Sequence, residues 1–68
     1  MHYKIEDIEV GDMVTIRSAF GSGPLHVGIV ENTSDNIKNG FPSIDYKRTD
    51  NGDIHWAYVD QVIRVDAK

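Results

Sequence analysis

The residues of this chain that could do chemistry are few and far apart. His2, His26 and His55 are its only imidazoles, and no two of them stand at the i, i+3 or i+4 spacing at which a helix presents paired metal ligands. His55 and Asp53 would share a strand face, but such pairs are common on solvated strands and a third ligand would have to come from elsewhere. The chain has no cysteine, hence no thiolate nucleophile, and Ser18, Ser22, Ser34 and Ser43 do not stand in a Ser-His-Asp context. A domain of 68 residues also has little volume for a water-excluding cleft of ~300 Å³ or more. No catalytic residue, metal or cofactor is expected, and the chain reads as a non-enzyme.

Recognition chemistry is what remains. Trp56 and Tyr58 alternate along one apolar run, with Lys47 across a turn from them; exposed aromatic residues beside charges suit a binding surface. Phe20-Gly21-Ser22-Gly23-Pro24 is a flexible loop able to touch a ligand, with Phe20 and Pro24 as its contact residues. It lacks the following helix and the Lys-Ser/Thr pair of a phosphate loop. Arg17 and Arg64, expected to point outward from neighbouring strands, would form a small basic spot that, with Lys47 nearby, could receive an acidic segment of a partner.

Which of these side chains face out depends on the Asn51-Gly52 pair. Asn-Gly favours a two-residue type I′ turn, whose twist matches a hairpin. Asp50 would then pair with Asp53, Lys47 with Trp56, Tyr46 with Ala57 and Asp45 with Tyr58. Ile44, Tyr46, Ala57 and Val59 would face the core, and Asp45, Lys47, Trp56 and Tyr58 would face out. A three-residue loop would shift the pairing by one and bury Ile44, Tyr46, Ile54, Trp56 and Tyr58 instead. Turn chemistry favours the first arrangement, and the cleaner separation of apolar from polar residues favours the second. Trp56 is thus either core or contact surface.

The elements that must position these groups are short strands. Alternation or apolar runs mark residues 13–17, 25–30, 43–48, 54–59 and 62–65. Residues 31–42, rich in Asn, Ser, Asp, Gly and Pro, read as a loop with a helical turn near 35–38 ended by Asn39-Gly40. Gly21, Gly23 and Gly28 mark places that need positive φ, a bulge or close backbone approach. No helix of ordinary length fits. Five short strands leave exposed sheet edges unless the sheet curls and closes, so a small barrel filling residues 1–68 as one domain is expected.

Formal charge is −4, from 11 acidic against 7 basic residues. Long-range attraction to a nucleic-acid backbone or an anionic membrane is therefore not expected. No apolar run approaches the ~20 residues that span a bilayer, and Met1-His2-Tyr3-Lys4 lacks the apolar stretch of a signal peptide. With no disulfide framework available, a reducing cytoplasm fits best.

Val10-Gly11-Asp12-Met13-Val14-Thr15-Ile16, Gly28-Ile29-Val30 and Trp56-Ala57-Tyr58-Val59-Asp60-Gln61-Val62 together resemble the opening Gly-Asp strand, the second strand and the closing strand, short 3₁₀ turn and final strand of SH3-like barrels. Among these barrels the residues look most like KOW domains of transcription and ribosomal proteins. The chain is also similar in style to small uncharacterised proteins of tailed phages. The resemblance implies an all-β, five-stranded SH3-like barrel with a 3₁₀ turn before the last strand. Barrels that the chain resembles often hold a peptide or a larger assembly, so a protein-binding adaptor or accessory is expected, with the residues singled out above, Trp56, Tyr58, Lys47, Phe20, Pro24, Arg17 and Arg64, as its contacts. KOW domains that hold RNA are usually basic, so the acidic charge argues against the alternative of a nucleic-acid or transcription-complex accessory. A third reading is a structural subunit whose strand edge pairs with another copy.

Overall fold

The computed structural model describes residues 3–17, 24–38 and 41–68. It is all-β, one antiparallel sheet of five strands: β1 (Met13–Ile16), β2 (His26–Lys38), β3 (Phe41–Arg48), β4 (Ile54–Tyr58) and β5 (Val62–Asp66). A 3₁₀ turn at Ile5–Asp7 precedes β1, and a second at Val59–Gln61 joins β4 to β5. The spatial order is β4-β3-β2-β1-β5, so the sheet is open, with β4 and β5 as its edges. No helix among the described residues is long and apolar enough to cross a membrane.

The dimensions show that the sheet is strongly bent. A straight strand rises ~3.3 Å per residue, so the 13 residues of β2 would reach well beyond the 29 Å longest extent of the molecule. The shortest extent is 22 Å, about twice the ~10 Å spacing of packed sheets. The sheet therefore wraps its own apolar face. Inside lie Ile8, Val14, Ile16, Val30, Ile44, Tyr46, Ala57, Val59 and Val62, with Tyr3, Ile5 and Val65 packed against them. Val14 and Ile16 are buried while Met13 is exposed, which is the period-two alternation of a half-buried strand.

Two irregularities let β2 bend. Val30 pairs with Tyr46 and Asn32 with Asp45, so Glu31 is an extra residue on β2, a bulge that sharpens local twist. Farther on, Ser34 pairs with Ser43 and Lys38 with Phe41. Pro42 falls in that gap, where it interrupts no ladder pair. Residues 31–38 are thus strand, not the expected loop with a helical turn. Their polar side chains are no obstacle to a backbone ladder with β3, which satisfies N–H and C=O groups whatever the side chains are. Residues 39 and 40, the expected end of that turn, lie outside the described residues.

Gly28 is buried where two strands crowd. A Cβ built there would stand 2.5 Å from Tyr46 Cδ2 and 2.8 Å from the Lys47 carbonyl oxygen, the close approach expected of it. Gly21 and Gly23 lie outside the described residues. The positive-φ glycines are Gly11 at 97° and Gly52 at 76°. Gly11 is third in the turn closed by Asp12 N–H donating to Glu9 O at 3.0 Å, the position where a type II turn requires positive φ.

The β3-β4 hairpin turns differently from the expected two-residue loop. The ladder runs Lys47 to Ile54, Tyr46 to His55, Asp45 to Trp56, Ile44 to Ala57 and Ser43 to Tyr58, a shift of two from the Asn51-Gly52 register. Arg48 N–H donates to Asp53 O at 2.8 Å and Gly52 N–H to Arg48 O at 3.0 Å, closing a loop over residues 49–52. Side chains favour this wider turn: the Arg48 guanidinium grips Asp50 through Nε–Oδ1 at 3.0 Å and Nη2–Oδ2 at 2.6 Å. Asn51 Oδ1 also accepts Asp53 N–H at 2.9 Å. A shift of two preserves side-chain parity. Ile44, Tyr46, Ala57 and Val59 are accordingly core, and the three-residue alternative that would bury Trp56 is excluded.

Candidate functional site

The edge strand β4 places Ile54, Trp56 and Tyr58 on one face by simple alternation, and all three escape full burial. Trp56 is 47 % exposed and meets Tyr58 edge-on, ring centroids 5.1 Å apart and planes at 88°. Phe41, 57 % exposed at the start of β3, meets the same Tyr58 ring at 5.9 Å and 71°. Both contacts have the T-shaped geometry that aromatic quadrupoles prefer. Phe41, Tyr58, Trp56 and Ile54 thus form an apolar shelf on the outer side of the β3-β4 hairpin. Lys47 is exposed opposite Ile54, and Asp45 stands opposite Trp56, which puts one charge of each sign on the shelf.

Beside the shelf lies a pocket of about 360 Å³, more than the ~300 Å³ for which so small a domain was expected to have room, although it is open to solvent and does not exclude water. Its lining combines Trp56 and Tyr58 with His26, Tyr46 and His55, and with Ile16, Ala57 and Gln61 toward the core. The Tyr46 ring is stacked with His55, centroids 6.0 Å apart at 28°, and its hydroxyl is 3.2 Å from His26 Nδ1. Burial pushes the Tyr46 phenol above its ordinary range, with the Arg48 charge pulling weakly the other way. The hydroxyl therefore stays protonated and available as a hydrogen-bond partner near neutral pH. An apolar pocket with a few convergent polar groups is the form that takes a side chain or small ligand.

Gln61 fixes the inner wall. Its Oε1 accepts Tyr58 N–H at 3.0 Å and its Nε2 donates to Arg17 O at 3.1 Å, tying the 3₁₀ turn to the end of β1. The pocket lining thus draws on β1, β2, β3, β4 and the second 3₁₀ turn.

Of the residues expected to bind a partner, Trp56, Tyr58 and Lys47 come together. Pro24 is exposed at the entry to β2, and Phe20 lies outside the described residues. Arg17 and Arg64 are exposed on the β1 and β5 side, with Thr15 paired to Arg64. Lys47 is not near them: β2 and β1 stand between β3 and β5, so the expected three-residue basic spot does not form. Arg64 is already paired with Asp66, Nε to Oδ2 at 3.1 Å. Asp53 precedes β4, and no group of three or more His, Cys, Asp or Glu able to hold a metal occurs among the described residues.

Phe41, Ile54, His26, Tyr46 and His55 belong to the site although the sequence reading did not place them there. Ile54 was visible in the alternation 54, 56, 58. Phe41 was hidden in a segment whose composition reads as loop. The grouping of His26 with His55 depends on two strand pairings that no local signal specifies.

Comparison of the chain with known protein families, curated proteins and solved structures finds no match.

Proposed function

We propose that this chain is a small non-catalytic protein-binding module, an adaptor or accessory subunit built on an SH3-like small barrel. The strand order, the long bent β2 shared along the sheet and the 3₁₀ turn before the last strand support that architecture. The observation that carries the functional reading is the Phe41-Tyr58-Trp56 shelf on an edge strand, opening directly onto the 360 Å³ pocket. Aromatic side chains in such positions are the usual anchors of protein interfaces. An extended segment lying along β4 would have one side chain for the pocket and apolar contacts for the shelf. The lack of cysteine suits work in a reducing cytoplasm.

The test is a pull-down from the native host with wild-type protein and the Trp56→Ala variant, each eluate treated with and without nuclease. A protein partner retained by the wild type, lost by the variant and insensitive to nuclease supports the adaptor. Recovery only with intact nucleic acid would replace it with the KOW-like accessory. Capture of the chain by itself alone would replace it with a structural subunit.

A further inference from the structure

His26 and His55 are 29 positions apart in sequence, yet their ring centroids lie 6.2 Å apart with planes at 52°, both lining the pocket. We propose that these two imidazoles together bind one divalent transition-metal ion of borderline softness, Zn²⁺ first among them, in a site open to the pocket. The distances suit it. Two imidazoles that each hold a metal at ~2.0–2.1 Å place their centroids ~5 Å apart at a tetrahedral angle and somewhat farther apart as the angle widens. At 6.2 Å the centroids stand about 1 Å farther apart than that, and binding requires rotation of the exposed His55 ring to turn one of its nitrogens toward His26 Nε2.

The surroundings orient the ligands. His26 Nδ1 faces the Tyr46 hydroxyl at 3.2 Å, so in the binding tautomer Nδ1–H donates to that oxygen and Nε2 is left for the metal. This is the outer-shell hydrogen bond that metal-bound histidines ordinarily have. Tyr46 also stacks on His55, so one buried side chain positions both rings. Among the described residues, none that lines the pocket carries a carboxylate. A site of nitrogen donors selects Zn²⁺, Cu²⁺ or Ni²⁺ over Mg²⁺ or Ca²⁺, which require oxygen. The remaining coordination positions face the pocket and would be filled by water or by a donor atom of whatever occupies it. The proposal goes beyond protein binding and does not depend on it.

The experiment is a titration of the full chain with ZnCl₂, read by calorimetry and by the imidazole ¹⁵N resonances of all three histidines, with MgCl₂ as the control. His26→Ala, His55→Ala, His2→Ala and Tyr46→Phe variants are compared after amide spectra confirm that each is folded. One Zn²⁺ per chain, moving the His26 and His55 resonances together, is expected. Either pocket-histidine variant should lose ~10-fold or more in affinity, Tyr46→Phe, which keeps the ring, should lose ~10-fold, and His2→Ala should change nothing. The idea is overturned by a Kd of ~1 mM or weaker, by equal response to Mg²⁺, by binding that His2→Ala abolishes, or by a pocket-histidine variant that keeps wild-type affinity. Should Tyr46→Phe not fold, the two histidine variants decide alone.

Discussion

Arg17 and Gln61 exchange two hydrogen bonds across the end of the sheet: Arg17 N–H donates to Gln61 O at 2.9 Å, and Gln61 Nε2 donates to Arg17 O at 3.1 Å. With the bond from Tyr58 N–H to Gln61 Oε1, one side chain joins β4, the 3₁₀ turn and the exit of β1. Gln61→Ala should lower stability by about 1–3 kcal/mol, two side-chain hydrogen bonds at ~0.5–1.5 kcal/mol each. Urea unfolding should show a lower midpoint at unchanged slope.

Gly28→Ala should also be destabilising, for a steric reason. The added methyl meets the Tyr46 ring and, less forgivingly, the Lys47 backbone, and overpacking of this kind costs about 1–3 kcal/mol. A thermal scan showing an unchanged midpoint would mean that β2 and β3 can part without penalty.

Trp56→Ala separates binding from folding. Because the indole is about half exposed, its loss should cost much less than the ~3–5 kcal/mol of a buried aromatic, while partner binding should fall by ~2 kcal/mol or more. Denaturation and binding measured on the same preparation check both halves.

Asp12 makes stability depend on acid. Its carboxylate accepts Glu9 N–H at 2.9 Å and Lys68 N–H at 3.2 Å, and chiefly the first of these holds its pKa below the ordinary range of ~3.9. A lowered folded-state pKa contributes stability that is complete above the unfolded value and is lost as pH falls through the folded one. Wild type should therefore lose stability below about pH 4 more steeply than Asp12→Asn. Parallel curves of melting temperature against pH would remove Asp12 as the cause.

Much of this was legible in the residues. Alternation and apolar runs marked all or part of each strand, and the Asn51-Gly52 signal, against the pull of burial, put Ile44, Tyr46, Ala57 and Val59 on the inward face, a parity that survives because the register shifts by two. The turn was not, because Asn51-Gly52 argues for two residues while Arg48, Asp50 and Asn51 hold a longer loop together through side-chain bonds that local propensity does not weigh. The polar half of β2 was missed for a related reason: residues 31–38 are strand because β3 is beside them, not because their own side chains prefer it. The pocket depends on those same non-local pairings, so its histidines had no sequence signature.

The pairing of β1 with β5 has a kinetic consequence. The β2-β3 and β3-β4 hairpins can form from neighbours in the chain, whereas pairing Met13 with Asp66 closes most of the chain into one loop. Closing so long a loop is entropically late. β5 should then dock late and leave early, and its amides are expected to exchange with solvent through openings smaller than global unfolding. Since the 3₁₀ turn that carries Gln61 leads directly into β5, each such opening also loosens the inner wall of the pocket: access to the site is coupled to the fraying of the strand that finishes the fold.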